Sequence, residues 1–200
     1  MEDKNRDDLK AIRTMMEQAS RFISLSGWSG ISAGIYALIA SGIAYTWMND
    51  FYSYNDPSLN GLLWKFILLG LVTLFLAIST GVLFTVKKSK KNKVAVWNAN
   101  TKRLLLHLFV PLLVGGLFCL ALFVNHASLL LMGPTTLIFY GLALLNASKF
   151  TFKDIAYLGY CEIVLGLIGL FIPGYGLLLW AIGFGVLHIV YGIVIERKYR

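Results

Sequence analysis

Hydrophobic residues along this chain fall in six long runs, at 22–48, 62–86, 104–125, 129–147, 155–172 and 176–195. Each reaches or approaches the roughly 20 apolar residues that carry a helix across a bilayer core about 30 Å thick. The pattern predicts an all-α fold: one polytopic membrane bundle of six transmembrane helices occupying residues 22–200. Residues 1–21 are polar, and Leu9, Ile12, Met16, Ala19 and Ile23 recur at helical spacing behind Asp7 and Asp8, either of which suits an N-cap. They predict an N-terminal amphipathic helix on the cytoplasmic side, lying in the headgroup layer or packed on the protein's own loops. Acids and bases are mixed in that segment, and the first apolar run has the length of a span, so no cleavable signal is expected.

The connections alternate in charge. The 49–61 loop is neutral to acidic, 87–103 is basic, 126–128 is short, 148–154 carries lysines and 173–175 is tight. With both termini inside, 17 of the 18 Lys and Arg residues lie on the cytoplasmic side. Lys65 is the exception, near the outer end of its span, from which its stem snorkels outward. The positive-inside rule therefore predicts a multi-pass inner-membrane protein with both N- and C-terminus cytoplasmic. Tyr45, Trp47, Tyr52, Tyr54 and Trp64 fit an outer aromatic belt. The short third-to-fourth and fifth-to-sixth connections make antiparallel pairs, and three hairpins are the expected units.

Composition agrees with this pattern: 58% of the 200 residues are hydrophobic and mean hydropathy is +0.70. The net charge of +8 would suggest nucleic acid in a soluble protein, but here it reports sidedness, and no nucleic-acid partner is expected. The partners expected are the lipid bilayer, a second copy or another membrane protein, and anionic lipid at the basic run Lys87–Lys93. Cys119 and Cys161 sit within apolar runs and read as small buried hydrophobes.

Small residues recur every fourth position at Ser26, Gly30 and Gly34, at Ala33, Ala37 and Ser41, and at Ala77 and Gly81. Such rows let membrane helices approach closely, as a homodimer seam or as packing within the bundle, and the second is simpler because every helix needs neighbours. Gly27, Gly34 and Gly42 match Gly159, Gly166 and Gly174 at a constant offset of 132, a weak echo of duplication. Gly133-Pro134 is expected either to interrupt the fourth span and free carbonyls for Thr135, Thr136 or water, or, being near the outer end, only to shape the turn.

Candidate chemistry is sparse. Glu162 is the one carboxylate deep in a span, where an ionisable group is a functional hypothesis by default. It lies twelve positions before Gly174 and His188 fourteen after, so across the 173–175 turn their depths differ by about 3 Å. The two form a candidate intramembrane polar pair, with Tyr157, Tyr160 and Tyr191 as a candidate supporting cluster. Such a pair is either a protonatable site coupled to ion or solute movement or a hydrogen bond locking two helices. His107, His126 and His188 share no depth, and no metal-binding or nucleophile motif is present, so no metal, cofactor or catalytic residue is expected.

The last hairpin, with Gly159, Gly166, Pro173, Gly185 and Gly192, resembles the HdeD-type family of small bacterial membrane proteins linked to acid resistance. The resemblance covers about one sixth of the chain and implies a bacterial origin and a hairpin architecture; it transfers no catalytic residue. The function expected is that of a non-enzymatic membrane protein that associates with itself or a partner, with a stress role implied by the resemblance. A small proton-coupled transporter or channel using Glu162 and His188 is the alternative. Gly159, Gly166, Gly185 and Gly192 join the small-residue rows as candidate helix-packing positions.

Overall fold

A computed structural model of the chain describes residues 26–54, 59–93, 96–125 and 129–199. The predicted N-terminal amphipathic helix, His126 and the side chains of Tyr52 and Tyr54 lie outside the described residues. Those residues form an all-α structure without strands. The helices are α1 (Gly27–Tyr54), α2 (Leu59–Lys91), α3 (Ala99–Val124), α4 (Met132–Ala147), α5 (Asp154–Phe171) and α6 (Gly176–Lys198). All but α4 are long and apolar enough to cross a membrane. The α-helical part of α4 has only 16 residues, but 3-10 turns at Leu129–Leu131 and Ser148–Phe150 extend it at both ends.

One boundary departs from the sequence expectation for a physical reason. The basic loop is shorter than expected because α2 continues through Lys91, reaching 33 residues or about 50 Å. Lysine is a good helix former, and Lys88, Lys90 and Lys91 in the last turn complement the negative end of the helix dipole. The next helix begins where the Asn98 side chain accepts a 2.8 Å hydrogen bond from the Thr101 N–H. The Gly133-Pro134 pair does not break a helix but shapes the start of one, the second of its two expected roles. Proline stands in the first turn of α4, where its missing N–H has no helical partner to lose, and Thr136 donates to the Gly133 carbonyl at 2.8 Å.

The helices pack in an order unlike the sequence. α2 rests on α1, α1 on α6, α6 on α5 and α4, and α3 on the outside of α4; the most extensive contact is between α4 and α5. Glycine makes the close approaches. A Cβ on Gly34 would lie 2.6 Å from the Gly185 carbonyl oxygen, and one on Gly192 would lie 2.5 Å from that of Gly27. A Cβ on Gly159 would lie 2.9 Å from the Gly141 carbonyl oxygen, and one on Gly166 would lie 2.8 Å from that of Pro134. The row Ser26, Gly30, Gly34 is thus filled by α6 of the same chain, with buried Ser26 at its start. Gly81 meets α1 more loosely, at 3.9 Å from the Ser29 Cβ, one turn after half-buried Ala77.

The offset-132 echo has a packing explanation. Gly27 and Gly34 face α6 two helical turns apart, and Gly159 and Gly166 face α4 with the same spacing. The third match fails, since Gly42 has nothing within 4 Å, while Gly174 forms the α5–α6 turn with φ +99°, a conformation that favours glycine.

At one end of the bundle the polar contacts gather. Lys198 Nζ donates to both Asp154 carboxylate oxygens at 2.8 and 3.0 Å, and the Tyr199 hydroxyl donates to Asp154 Oδ2 at 2.8 Å. Tyr199 stacks on Phe152 with centroids 4.0 Å apart, and Lys88 Nζ donates to its carbonyl at 3.1 Å. Burial and the Asp154 carboxylate push the Tyr199 phenol above its ordinary pKa. Glu196 closes the same end by accepting from the Gly27 N–H at 3.2 Å. The basic loop, the fourth-to-fifth connection and the C-terminus therefore share one end, as the charge pattern requires. Lys65 lies towards the other end, 5.9 Å over the Trp47 ring.

Candidate functional site

Where α4, α5 and α6 meet, the apolar packing is interrupted by three polar side chains. The buried face of α5 is built from Ile155, Leu158, Gly159, Glu162, Gly166 and Gly169, a helical repeat that turns Glu162 inward. Its residue is 0% exposed, beside the equally buried Leu137 of α4. From α6 comes His188, 6% exposed, and from α4 comes half-buried Tyr140.

Hydrogen bonds around the imidazole fix its tautomer. Nδ1 lies 3.0 Å from the Gly183 carbonyl, which can only accept, so Nδ1 carries a proton. In the neutral ring Nε2 is then the acceptor, and it takes the Tyr140 hydroxyl proton at 2.8 Å. Phe184 stacks near both rings, with centroids 4.8 Å from Tyr140 and 5.8 Å from His188. The segment Ala181–Leu187 is π-helical, an irregularity that is rare and concentrated at functional sites. Within it, the Gly183 carbonyl takes the ring proton of a residue five positions on.

Glu162 is left without such partners. Its Oε1 lies 3.4 Å from His188 Nδ1, close enough for electrostatic contact, but the N–H is directed to Gly183 and neither carboxyl oxygen has a hydrogen bond. A Cβ on Gly183 would collide with Glu162 Oε2 and lie 2.6 Å from Leu137 Cδ2. Glycine at 183 thus provides the space the carboxyl occupies.

The structure places the predicted pair 3.4 Å apart and turns two of the three expected supporting tyrosines away from it. Tyr157 and Tyr160 are 71% and 58% exposed. They stand about 140° and 160° around α5 from Glu162, so equal depth does not place them on the same face. Tyr191, a turn beyond His188, is half-buried against the layer of Leu144, Phe152, Ile155, Leu158 and Ile195, on which Tyr140 also packs. Sequence reasoning missed Tyr140. Its signal was available: Tyr140 and Glu162 each lie eleven positions from Thr151 in the fourth-to-fifth connection, which puts them level.

The other candidate features behave as structural elements. Ser29, Ser32, Ser41 and Thr80 donate to carbonyls of their own helices, and Ser32 also meets Thr80 across α1 and α2 at 3.3 Å. His107 stacks on Phe150 with centroids 4.7 Å apart. Among the described residues no three His, Cys, Asp or Glu side chains gather as a metal would require. A groove of about 390 Å³ lies along Trp97, Lys102, Leu106 and Phe109, and one of about 270 Å³ along Phe118, Leu131, Phe139 and Leu170. Neither is lined by Glu162 or His188.

No protein-family model, no curated protein and no solved structure matches this chain. The resemblance of the last hairpin to the HdeD-type family has no counterpart in those comparisons.

Proposed function

We propose that this chain is a multi-pass protein of the bacterial inner membrane, with six spans in three hairpins and both termini cytoplasmic. It acts without catalysis or cofactor, by associating with a second copy in the plane of the membrane. The observation that carries this reading is the surface of α2, whose most apolar stretch buries none of its residues among the described residues. Along it Leu68, Leu71, Phe75, Ile78 and Val82 are all more than half exposed. Their spacing of three and four residues is that of a coiled-coil seam, and in lipid such packing, rather than apolarity, drives association. Beyond the seam the helix carries its lysines to the end of the bundle, where anionic headgroups are the expected contact. The stress role is not part of this proposal, since only the last-hairpin resemblance suggests it.

Crosslinking tests the association. With Cys119 and Cys161 replaced by alanine, Phe75→Cys is expected to give a covalent dimer with a short bis-maleimide in native membranes, whereas Tyr157→Cys on exposed α5 is not. Equal crosslinking at both positions, or none at either, contradicts the α2 seam.

A second reading, a small proton-coupled transporter, is favoured by one observation: a fully buried carboxyl with both oxygens unpaired beside a histidine. In proteoliposomes it predicts a proton flux that Glu162→Gln abolishes. Flux that is unchanged in that variant, across the pH range, rules out coupling through Glu162.

A further inference from the structure

The three polar groups are joined in a definite order. Tyr140 donates its hydroxyl proton to His188 Nε2, and the opposite ring nitrogen, Nδ1, carries the proton nearest to Glu162 Oε1. We propose that Tyr140, His188 and Glu162 form a proton wire, with Tyr140 at its outer end and Glu162 as its terminal acceptor. The inference rests on the second reading only in treating Glu162 and His188 as a working pair, and it holds whether or not a solute crosses the membrane.

The transfer conserves protons at every step. A proton arriving at the Tyr140 oxygen releases the hydroxyl proton to Nε2, and tyrosine remains neutral. The imidazole is then cationic, and its Nδ1–H bond breaks as a new O–H bond forms at Glu162 Oε1. Histidine is left neutral with its proton on Nε2, and Glu162 has become a carboxylic acid. Running the steps backwards releases the proton at Tyr140. An imidazole suits this task because its two nitrogens exchange donor and acceptor roles.

Placement supplies the rest of the argument. Glu162 is 0% exposed, so it exchanges protons through a neighbour, and His188 is the titratable group paired with it among the described residues. Tyr140 is half-buried and so the least enclosed of the three groups, the outer member of the chain that His188 joins to Glu162. The 3.4 Å gap between Nδ1 and Oε1 must close to hydrogen-bond length for transfer. The Nδ1–H has to leave the Gly183 carbonyl to do so, and that carbonyl belongs to the π-helical segment, the least regular part of α6. A metal ion is a poorer occupant than a proton, because Glu162 already fills the space left by the missing Gly183 side chain. The groups facing the site are Tyr140 from α4, Glu162 from α5, and His188 with Tyr191 a turn away on α6. α1 meets α6 here with Gly30 and Gly34, and α3 meets α4 with Phe118 against Phe139.

Infrared spectroscopy of the protein in lipid tests the wire. The carboxylic-acid carbonyl band that Glu162→Gln removes identifies Glu162, and its shift on transfer to D₂O times proton exchange. In Tyr140→Phe, which removes one hydroxyl and keeps the ring, this exchange is expected to slow by about tenfold or more, with thermal stability tracking the fold. Exchange as fast as in the unmodified protein overturns the wire, even if pH-driven flux through Glu162 is observed. Loss of flux with slowed exchange in Tyr140→Phe supports both. Slowed exchange without any flux keeps the wire and removes the transporter. A second measurement needs no variant: the Glu162 band and the His188 ring nitrogens must exchange protons at matching rates, and independent exchange at the two sites overturns the proposal equally.

Discussion

Gly34→Val is expected to destabilise the folded bundle by on the order of 3 kcal/mol, while the same substitution at Gly42, in the same helix, costs less than about 0.5 kcal/mol. A side chain at Gly34 enters the α1–α6 contact, where its Cβ would lie 2.6 Å from both the Gly185 carbonyl oxygen and Ile189 Cγ1 and 3.0 Å from the Ile189 nitrogen. Two of those atoms are backbone and do not rotate away, so one helix must move. At Gly42 no atom stands within 4 Å. Both substitutions change helix propensity alike, so the difference between them isolates the interhelical contact. Reversible unfolding in detergent or bicelles measures it, and equal losses at the two sites would mean that α1 and α6 are not in contact there.

Glu162→Met is expected to stabilise the protein by about 1–3 kcal/mol. The carboxyl has lost its water and has no hydrogen bond in return. Methionine has similar length, no polar atom to satisfy, and enough flexibility to fill the space beside Gly183 and Leu137. His188 keeps its partners in the variant, because the Gly183 carbonyl and the Tyr140 hydroxyl hold the ring. Stability and the proposed proton transfer therefore point in opposite directions at this position: the variant is expected to fold better and to lack the acceptor of the wire. A loss of stability of the same size would identify Glu162 as a structural lock between α5 and α6.

Much of this is legible in the amino-acid sequence. The helical runs follow from apolar length, and charge placement groups the basic segments that Lys88, Asp154, Lys198 and Tyr199 bring to one end. The meeting of Glu162 and His188 follows from counting residues on either side of a tight turn. The same count fails for Tyr157 and Tyr160, because depth says nothing about the direction a residue faces. Their exposure was instead encoded in the spacing of Gly159, Glu162, Gly166 and Gly169 on the opposite side of α5. The contact of α1 with α6 was not legible, since neither chain order nor hairpin logic joins the first span to the last. Only the heptad-spaced glycines on both hinted at it. The π-helical segment left no mark that apolar periodicity could reveal, although it sets the carbonyl that orients His188.

Cysteine accessibility tests the central claim, a membrane bundle with its basic end in the cytoplasm. Ser89 would be a poor reporter despite its place in the lysine run, because it is fully buried, whereas Lys91 and Asn125 are exposed at opposite ends. In right-side-out spheroplasts lacking Cys119 and Cys161, a membrane-impermeant maleimide is expected to label Asn125→Cys directly and Lys91→Cys only after lysis. Labelling of Lys91→Cys in intact spheroplasts would contradict the account.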